Sequence, residues 1–307
     1  MNQNISENHT EVKPRKYKIV WLNVIVFIYY HLAGFLGLYC LFFAKWNTII
    51  FAMGIGAGAH RLWAHKTYKA KLPLQIFLMI CQSIANQHSV IHWARDHRIH
   101  HKFSDTDSDP HNASRGLFYS HVGWLLVRKS EEVKKAGKMI NLDDLFGNPV
   151  LAFQRRHANW FIITLAFVIP TIIPRLWNES YMIAYHVNML RYIVVLNFTF
   201  MVNSVAHKWG NKPYDINIVP CQSIPVSSLT LGEGFHNYHH TFPQDYRSAE
   251  LGNNQMNLVT RFIDFCAWLG LAYDRKSVSE EMVRARALRT GDGTDLWCRK
   301  TSTIIAK

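Results

Sequence analysis

His97-Arg-Ile-His100-His101 packs three imidazoles into five residues. Two further strings, His60-Arg-Leu-Trp-Ala-His65 and His236-Asn-Tyr-His239-His240, bring the number held in tight clusters to eight of the chain's seventeen histidines. Histidine is the commonest metal ligand, and imidazoles gathered without matching cysteines or carboxylates point to a nitrogen-rich metal centre. On a helix, residues four apart share a face, so His97 and His101 can address one ion, as can His236 and His240. Neighbours such as His100-His101 and His239-His240 diverge by about 100° and address two directions. A single tetrahedral zinc is saturated by four ligands, so the pattern predicts a pair of metals.

Outward from the clusters the chain is blocked into apolar runs, which is how 49% of its 307 residues come to be hydrophobic. Ile19 to Phe43 is nearly unbroken over 25 residues; Trp160 to Trp177 covers 18 with Pro170 and Pro174 inside; Tyr181 to Ala206 covers 26 around Arg191. A hydrocarbon core of about 30 Å needs about 20 helical residues. Asn47 to Ala59, at 13 residues, spans only if its helix continues through His60. Leu72 to Ala85 is also short and is followed by Asn86, Gln87 and His88, which predicts a helix at the interface or beneath the catalytic domain.

Most of the 34 Lys and Arg lie between Arg61 and Arg156 or from Arg247 onward. The positive-inside rule therefore puts the large segments in the cytosol and the short connectors, near Lys45 and around Arg175 to Glu179, on the other side. The reading is an all-α integral membrane protein. Its apolar runs are 19–43, 47–59 extended through the first cluster, 160–177 and 181–206. A cytosolic cap comes from 60–157 and 207–286, within one domain 19–286, and the tails 1–18 and 287–307 are cytosolic, with 289–307 reading as poorly ordered. Four crossings place both termini and all three clusters on one side.

Met1 to Lys18 is polar and basic, and the run behind it is too long for a signal peptide. Cysteines at 40, 81, 221, 266 and 298 have neither paired nor metal-knuckle spacing and imply a reducing face. The sequon Asn178-Glu-Ser180 lies close to the bilayer for glycosylation. A formal charge of +13 invites a nucleic-acid partner, but no binding motif accompanies it; anionic headgroups, an acidic redox protein or a phosphate-bearing substrate fit better. Neutral imidazoles leave iron able to change oxidation state and bind oxygen, which permits attack on unactivated C–H bonds, so an apolar substrate is expected.

The three clusters resemble the histidine boxes of membrane fatty-acid desaturases. The longer strings Gly58-Ala-His-Arg-Leu-Trp-Ala-His65, Trp93-Ala-Arg-Asp-His-Arg-Ile-His-His101, Asp109-Pro-His-Asn112, His121-Val-Gly-Trp-Leu-Leu-Val-Arg-Lys129 and Gly232-Glu-Gly-Phe-His-Asn-Tyr-His-His240 are similar to the stearoyl-CoA desaturase family, notably its insect branch. The likeness runs from about Lys16 to Arg286. It implies a multi-pass endoplasmic-reticulum enzyme with four transmembrane helices and a cytosolic cap. It also implies two iron ions, a long-chain acyl-CoA substrate, molecular oxygen as oxidant and cytochrome b5 as electron donor.

The same resemblance assigns metal ligation to His60, His65, His97, His100, His101, His207, His236, His239 and His240, with Asn203 reaching a metal through water. On spacing alone, Asn203 equally fits a polar residue facing a neighbouring helix. It puts Gln87, Trp93 and Thr199 at a bend in the substrate tunnel, although Trp93 also fits ordinary core packing. It gives Asn23, Arg95, Asp96, Arg128 and Lys129 to the coenzyme A head group, with membrane-facing cations as the other reading of Arg128 and Lys129. Asp105, Asp109 and Asn237 are candidates for holding the second nitrogen of ligand imidazoles.

Three departures stand out: His88 where relatives usually carry Asn, His92 in place of an acidic residue, and a second apolar run short by about two turns. His88 and His92 are not placed to join the metals. Ile218-Val-Pro-Cys-Gln222 resembles moth pheromone-type relatives acting at position eleven, against a default of nine. A related hydroxylase, conjugase or acetylenase, an inactive acyl-CoA-binding paralogue and a histidine-rich zinc transporter are the competing readings; transport sites sit near the midplane, whereas these boxes flank the apolar runs.

Overall fold

The computed structural model describes residues 17–48, 59–249 and 257–295. Residues 49–58 of the predicted second crossing lie outside the described residues. The frame is built from helices α1 (Trp21–Cys40), α2 (Leu72–Ile84), α3 (Val90–Lys102), α4 (Pro149–Ile163), α5 (Tyr181–Ser204), α6 (His236–Thr241), α7 (Leu258–Trp268) and α8 (Glu280–Thr290), joined by shorter turns. A two-residue antiparallel pair, Lys69–Ala70 with Ala272–Tyr273, qualifies the all-α expectation.

Among the described residues three helices are long and apolar enough to cross a membrane: Trp21–Cys40, Pro149–Trp177 and Tyr181–His207. The second begins at Pro149 rather than at Trp160. Asn148 caps it by accepting from the amides of Val150 and Leu151, and proline suits a first helical position because its missing N–H would find no partner there. Further on, Pro170 has no N–H to give the Ala166 carbonyl, and the helix passes through a π-turn at Thr164–Val168. The Ala166 carbonyl accepts instead from Asn188 Nδ2 at 2.9 Å and Arg191 Nη2 at 3.4 Å. Pro170 and Arg191, irregularities of two different apolar runs, thus meet at one carbonyl.

Helices α1 and α5 pack along each other through Gly34 and Gly37. A Cβ on Gly37 would stand 2.2 Å from the His186 carbonyl oxygen, so the close approach there requires glycine, while one on Gly34 would stand 2.3 Å from Ile193 Cδ1, the movable end of a side chain. At the end of this pair remote from the histidines, Glu179 is buried; its carboxylate accepts from the Lys45 amide at 2.8 Å and from Thr48 Oγ1 at 2.9 Å.

The α2 segment is too short to span. It buries Leu74, Leu78 and Met79 against Val90 and Ala94 of α3, Leu151 of α4 and Ile263 of α7. Its opposite face exposes Leu72, Ile76 and Phe77, the last 6.1 Å between ring centroids from Phe262 of α7, and α7 itself exposes Phe265 and Trp268, apolar surface suited to a bilayer interface. Helix α8 runs through the expected boundary at 286 to Thr290, with Val283 buried and Ala287 packed beside it, so that part of the expected tail is folded against the cap.

Candidate metal centre and cavity

The nine histidines arrive from four stretches of chain and sort into two groups. His60, His65, His97, His101 and His239 form one; His100, His207, His236 and His240 form the other. Within each, the candidate ligand atoms lie within 4.8 Å of one another. Helix α3 sends His97 and His101 to the first group and His100 to the second; α6 sends His236 and His240 to the second and His239 to the first. Each doublet therefore divides, as a turn of about 100° per residue requires. The groups abut where the His101 and His240 rings stack, 4.1 Å between centroids.

His60 and His65 pose a problem that helical spacing does not solve, because residues five apart on an α-helix diverge by about 140°. The chain instead makes a π-turn, His60–Ala64, closed by the His65 amide on the His60 carbonyl at 3.2 Å. That brings the two rings to 4.9 Å. Such turns recur at functional sites.

Three carboxylates grip the rings from outside. The Nδ1–H groups of His60, His100 and His207 each donate at 2.9 Å, to Glu233, Asp109 and Asp105 respectively. With the proton held on Nδ1, Nε2 presents a lone pair inward. The inward Nε2 atoms stand 2.8 Å apart for His65 and His97, 3.0 Å for His60 and His239 and for His101 and His239, 2.9 Å for His207 and His236, and 3.1 Å for His236 and His240. Donors about 2.1 Å from a common centre and about a right angle apart have such separations. His100 Nε2 is buried without a hydrogen-bond partner. The donor set thus fits two imidazole-bound metal ions.

Burial first, then the neighbouring imidazoles, holds His65, His97, His101, His236, His239 and His240 well below the usual histidine range, hence neutral and able to ligate. Burial also opposes a charge on His100, but the adjacent Asp109 carboxylate outweighs it and raises that ring. Asp109 in turn is held down to about 2: burial raises it, and His100 more than compensates. Burial likewise opposes ionisation of Glu233, yet Arg61 and His60 keep its carboxyl well below the usual range.

Asn237 departs from expectation. It holds no histidine; its amide accepts from the backbone of Tyr214 and Asp215 and donates to the carbonyls of Asp215 and Pro220. Glu233 takes the role that the sequence reading left unassigned. It lies three residues before His236, in a non-helical stretch where spacing carries no signal. Arg61 was also missed: its buried guanidinium reaches Glu233 at 2.8 Å, Thr260, Asn257 and the carbonyls of Tyr246 and Arg247. His111 forms a further buried cluster with His100 and Asp109, and burial pushes it down to about 4.

A cavity of about 880 Å³ opens beside the first group. Gln87, Trp93, Thr199 and Asn203 line it. Trp93 stacks on His97 with centroids 4.8 Å apart, and Gln87 Nε2 donates to Thr199 Oγ1 at 3.2 Å. Asn23 also lines the cavity and donates to the Leu125 carbonyl. Asp96 is buried beneath Arg95 and Lys129, both ion-paired to it, while Arg128 is exposed. His88 and His92 line the same cavity, their rings parallel within 7° at 4.3 Å, and His92 Nε2 lies 3.3 Å from Asp96. Neither falls in a metal-binding group.

A family model described as "Fatty acid desaturase" matches residues 46–249. An "Acyl-CoA Delta(11) desaturase" of Spodoptera littoralis is 60% identical over 293 residues, covering 92% of this chain and 87% of the relative. A "(11Z)-hexadec-11-enoyl-CoA conjugase" of Bombyx mori is 55% identical over 294 residues, covering 92% and 89%. An "Acyl-CoA Delta-9 desaturase" of Acheta domesticus is 50% identical over 297 residues, covering 93% and 83%.

Proposed function

The chain belongs to the fatty acid desaturase family, and from that premise we propose that it is an acyl-CoA desaturase. It sets a cis double bond into a long-chain acyl-CoA, with molecular oxygen as oxidant and cytochrome b5 as electron donor. The observation that carries this reading is the gathering of nine imidazoles, five and four, beside a largely apolar cavity. The higher identity to a position-eleven relative than to a position-nine relative favours position eleven.

In this reading two iron ions would be held by His60, His65, His97, His101 and His239 and by His100, His207, His236 and His240, with Asn203 as a water-mediated partner. Iron bound there would activate molecular oxygen for the breaking of C–H bonds. The acyl chain gives up two hydrogens from adjacent methylenes. With two electrons from the donor and two protons, one O2 becomes two waters.

What this chain itself contributes is placement. Trp93, braced on His97, and the Gln87–Thr199 pair form the wall that holds two chosen carbons against the histidines and excludes water. Glu233, Asp109 and Asp105 fix the proton of their rings on Nδ1 throughout. Asn23, Arg95, Arg128 and Lys129 face the coenzyme A head group, and buried Asp96 serves by orienting Arg95 and Lys129. The protein resides in the endoplasmic-reticulum membrane with four crossings, the second including 47–59, and with cap and termini in the cytosol.

The test is expression in a desaturase-deficient yeast with double bonds located in derivatised fatty esters. The expected product carries unsaturation at position eleven; unsaturation confined to position nine would overturn that assignment. His100→Ala is expected to abolish unsaturated product while leaving membrane insertion intact, and retained activity would remove His100 from the ligands. The conjugase relative supplies a second reading, action on a chain that is already unsaturated, and feeding (11Z)-hexadecenoate separates the two by its conjugated product.

A further inference from the structure

Helix α6 carries three of the nine histidines on only six residues, too short to hold its own orientation. The two residues between them, Asn237 and Tyr238, are fully buried and gripped from outside. All four side-chain hydrogen bonds of Asn237 go to the loop 214–220: to its Oδ1 from the amides of Tyr214 at 2.9 Å and Asp215 at 3.2 Å, and from its Nδ2 to the carbonyls of Asp215 at 3.0 Å and Pro220 at 2.9 Å. Tyr238 packs with Tyr214, Phe242, Val278 and Val283, and its hydroxyl donates to buried Asp245 at 3.0 Å.

That loop is in turn strapped by the C-terminal helix. The Ile216 amide donates to the Thr290 carbonyl at 2.8 Å, Thr290 Oγ1 donates to the Tyr214 carbonyl at 2.7 Å, and the Asp292 amide donates to the Lys212 carbonyl at 3.1 Å. Arg286 pairs with Asp215. Gly291 lies so close that a Cβ would stand 2.0 Å from the Pro213 carbonyl oxygen.

We propose that α8 and the residues just after it, through Arg286, Thr290 and Gly291, position the third histidine box, and that Arg286 is a positioning residue for the metal pair, acting through Asp215 and Asn237. The inference rests on the desaturase reading of the histidines but concerns a different part of the chain. Arg286 does not touch the histidines; it fixes Asp215, whose amide and carbonyl both bond to Asn237, the neighbour of His236. Loosening the strap frees His236 and His240 of the second group and His239 of the first, so both ions are affected.

The experiment measures iron per full-length chain, chelator resistance and kcat and KM for Arg286→Ala, Arg286→Lys and Gly291→Ala. Arg286→Ala and Gly291→Ala are expected to lose iron to a chelator roughly ten- to a hundredfold more readily, the cost seen when outer partners of metal ligands are removed. kcat should fall with KM unchanged, and Arg286→Lys should recover most of the loss. Wild-type retention of iron and wild-type kcat in both Arg286→Ala and Gly291→Ala would overturn the proposal. Loss of folded protein in one leaves the other to decide. A wild-type chain that binds no iron would instead refute the metal reading on which this rests.

Discussion

Replacing Glu233 by Gln tests the electrostatic logic of the site most directly. Both partners of this carboxylate are donors: His60 Nδ1–H at 2.9 Å on one oxygen and Arg61 Nη2–H at 2.8 Å on the other. An amide keeps the shape but turns one acceptor into a donor, so either the imidazole or the guanidinium meets an N–H head on. Arg61 is 3% exposed, and its remaining partners, Thr260, Asn257 and the carbonyls of Tyr246 and Arg247, are neutral. The substitution therefore strands a buried cation, at a cost of about 3–5 kcal/mol. It also frees His60 to shift its proton to Nε2, where the lone pair is needed. The expected result is a markedly lower thermal midpoint in detergent, with weakened iron retention in the group containing His60. Glu233→Asp keeps the charge but is a methylene too short to span both donors, and should fall between. Wild-type thermal stability together with full iron in Glu233→Gln would refute the argument.

Two other outcomes follow from the geometry. Lowering pH should destabilise the protein from about pH 6.5 downward: the six histidines held below their usual range stay neutral when folded but protonate when unfolded, so each removes about 1.4 kcal/mol of stability per pH unit below the unfolded value of about 6.5, and stability is retained above it. Thermal midpoints that stay flat from pH 7.5 to 5.5 would contradict this. Gly37→Ala should push α1 from α5, since its methyl would stand 2.2 Å from the His186 carbonyl oxygen, and should raise cleavage in protease-protection assays; wild-type protection would contradict the close packing of the two helices.

The length of the apolar runs was enough to read α1 and α5, and helical spacing was enough to read the way α3 and α6 divide their histidines, because a helix fixes direction from spacing. It could not reveal the π-turn that aligns His60 with His65, since that depends on how the chain is packed and not on residue type. Carboxylate partners were legible only in part. Asp105 and Asp109 follow α3 closely enough to fold back onto His207 and His100, whereas Glu233, just before the third box, and Asn237, within it, have opposite roles that the sequence does not distinguish. One faces the rings and the other faces the 214–220 loop, a division set by tertiary packing rather than by residue type. The start of the helix at Pro149 was hidden for a different reason. Its first turns, with Arg155 and Arg156, are too polar to extend an apolar run.

The buried carboxylate of Glu179 sets an order of events during synthesis. Its partners, the Lys45 amide and the Thr48 hydroxyl, precede it by 134 and 131 residues. At about 5–20 residues per second, the turn after α1 waits roughly 7–27 s on the ribosome before its acceptor is made. Until then that turn has donors without this acceptor, and the far end of α1 is fastened only when the residues leading into α5 arrive.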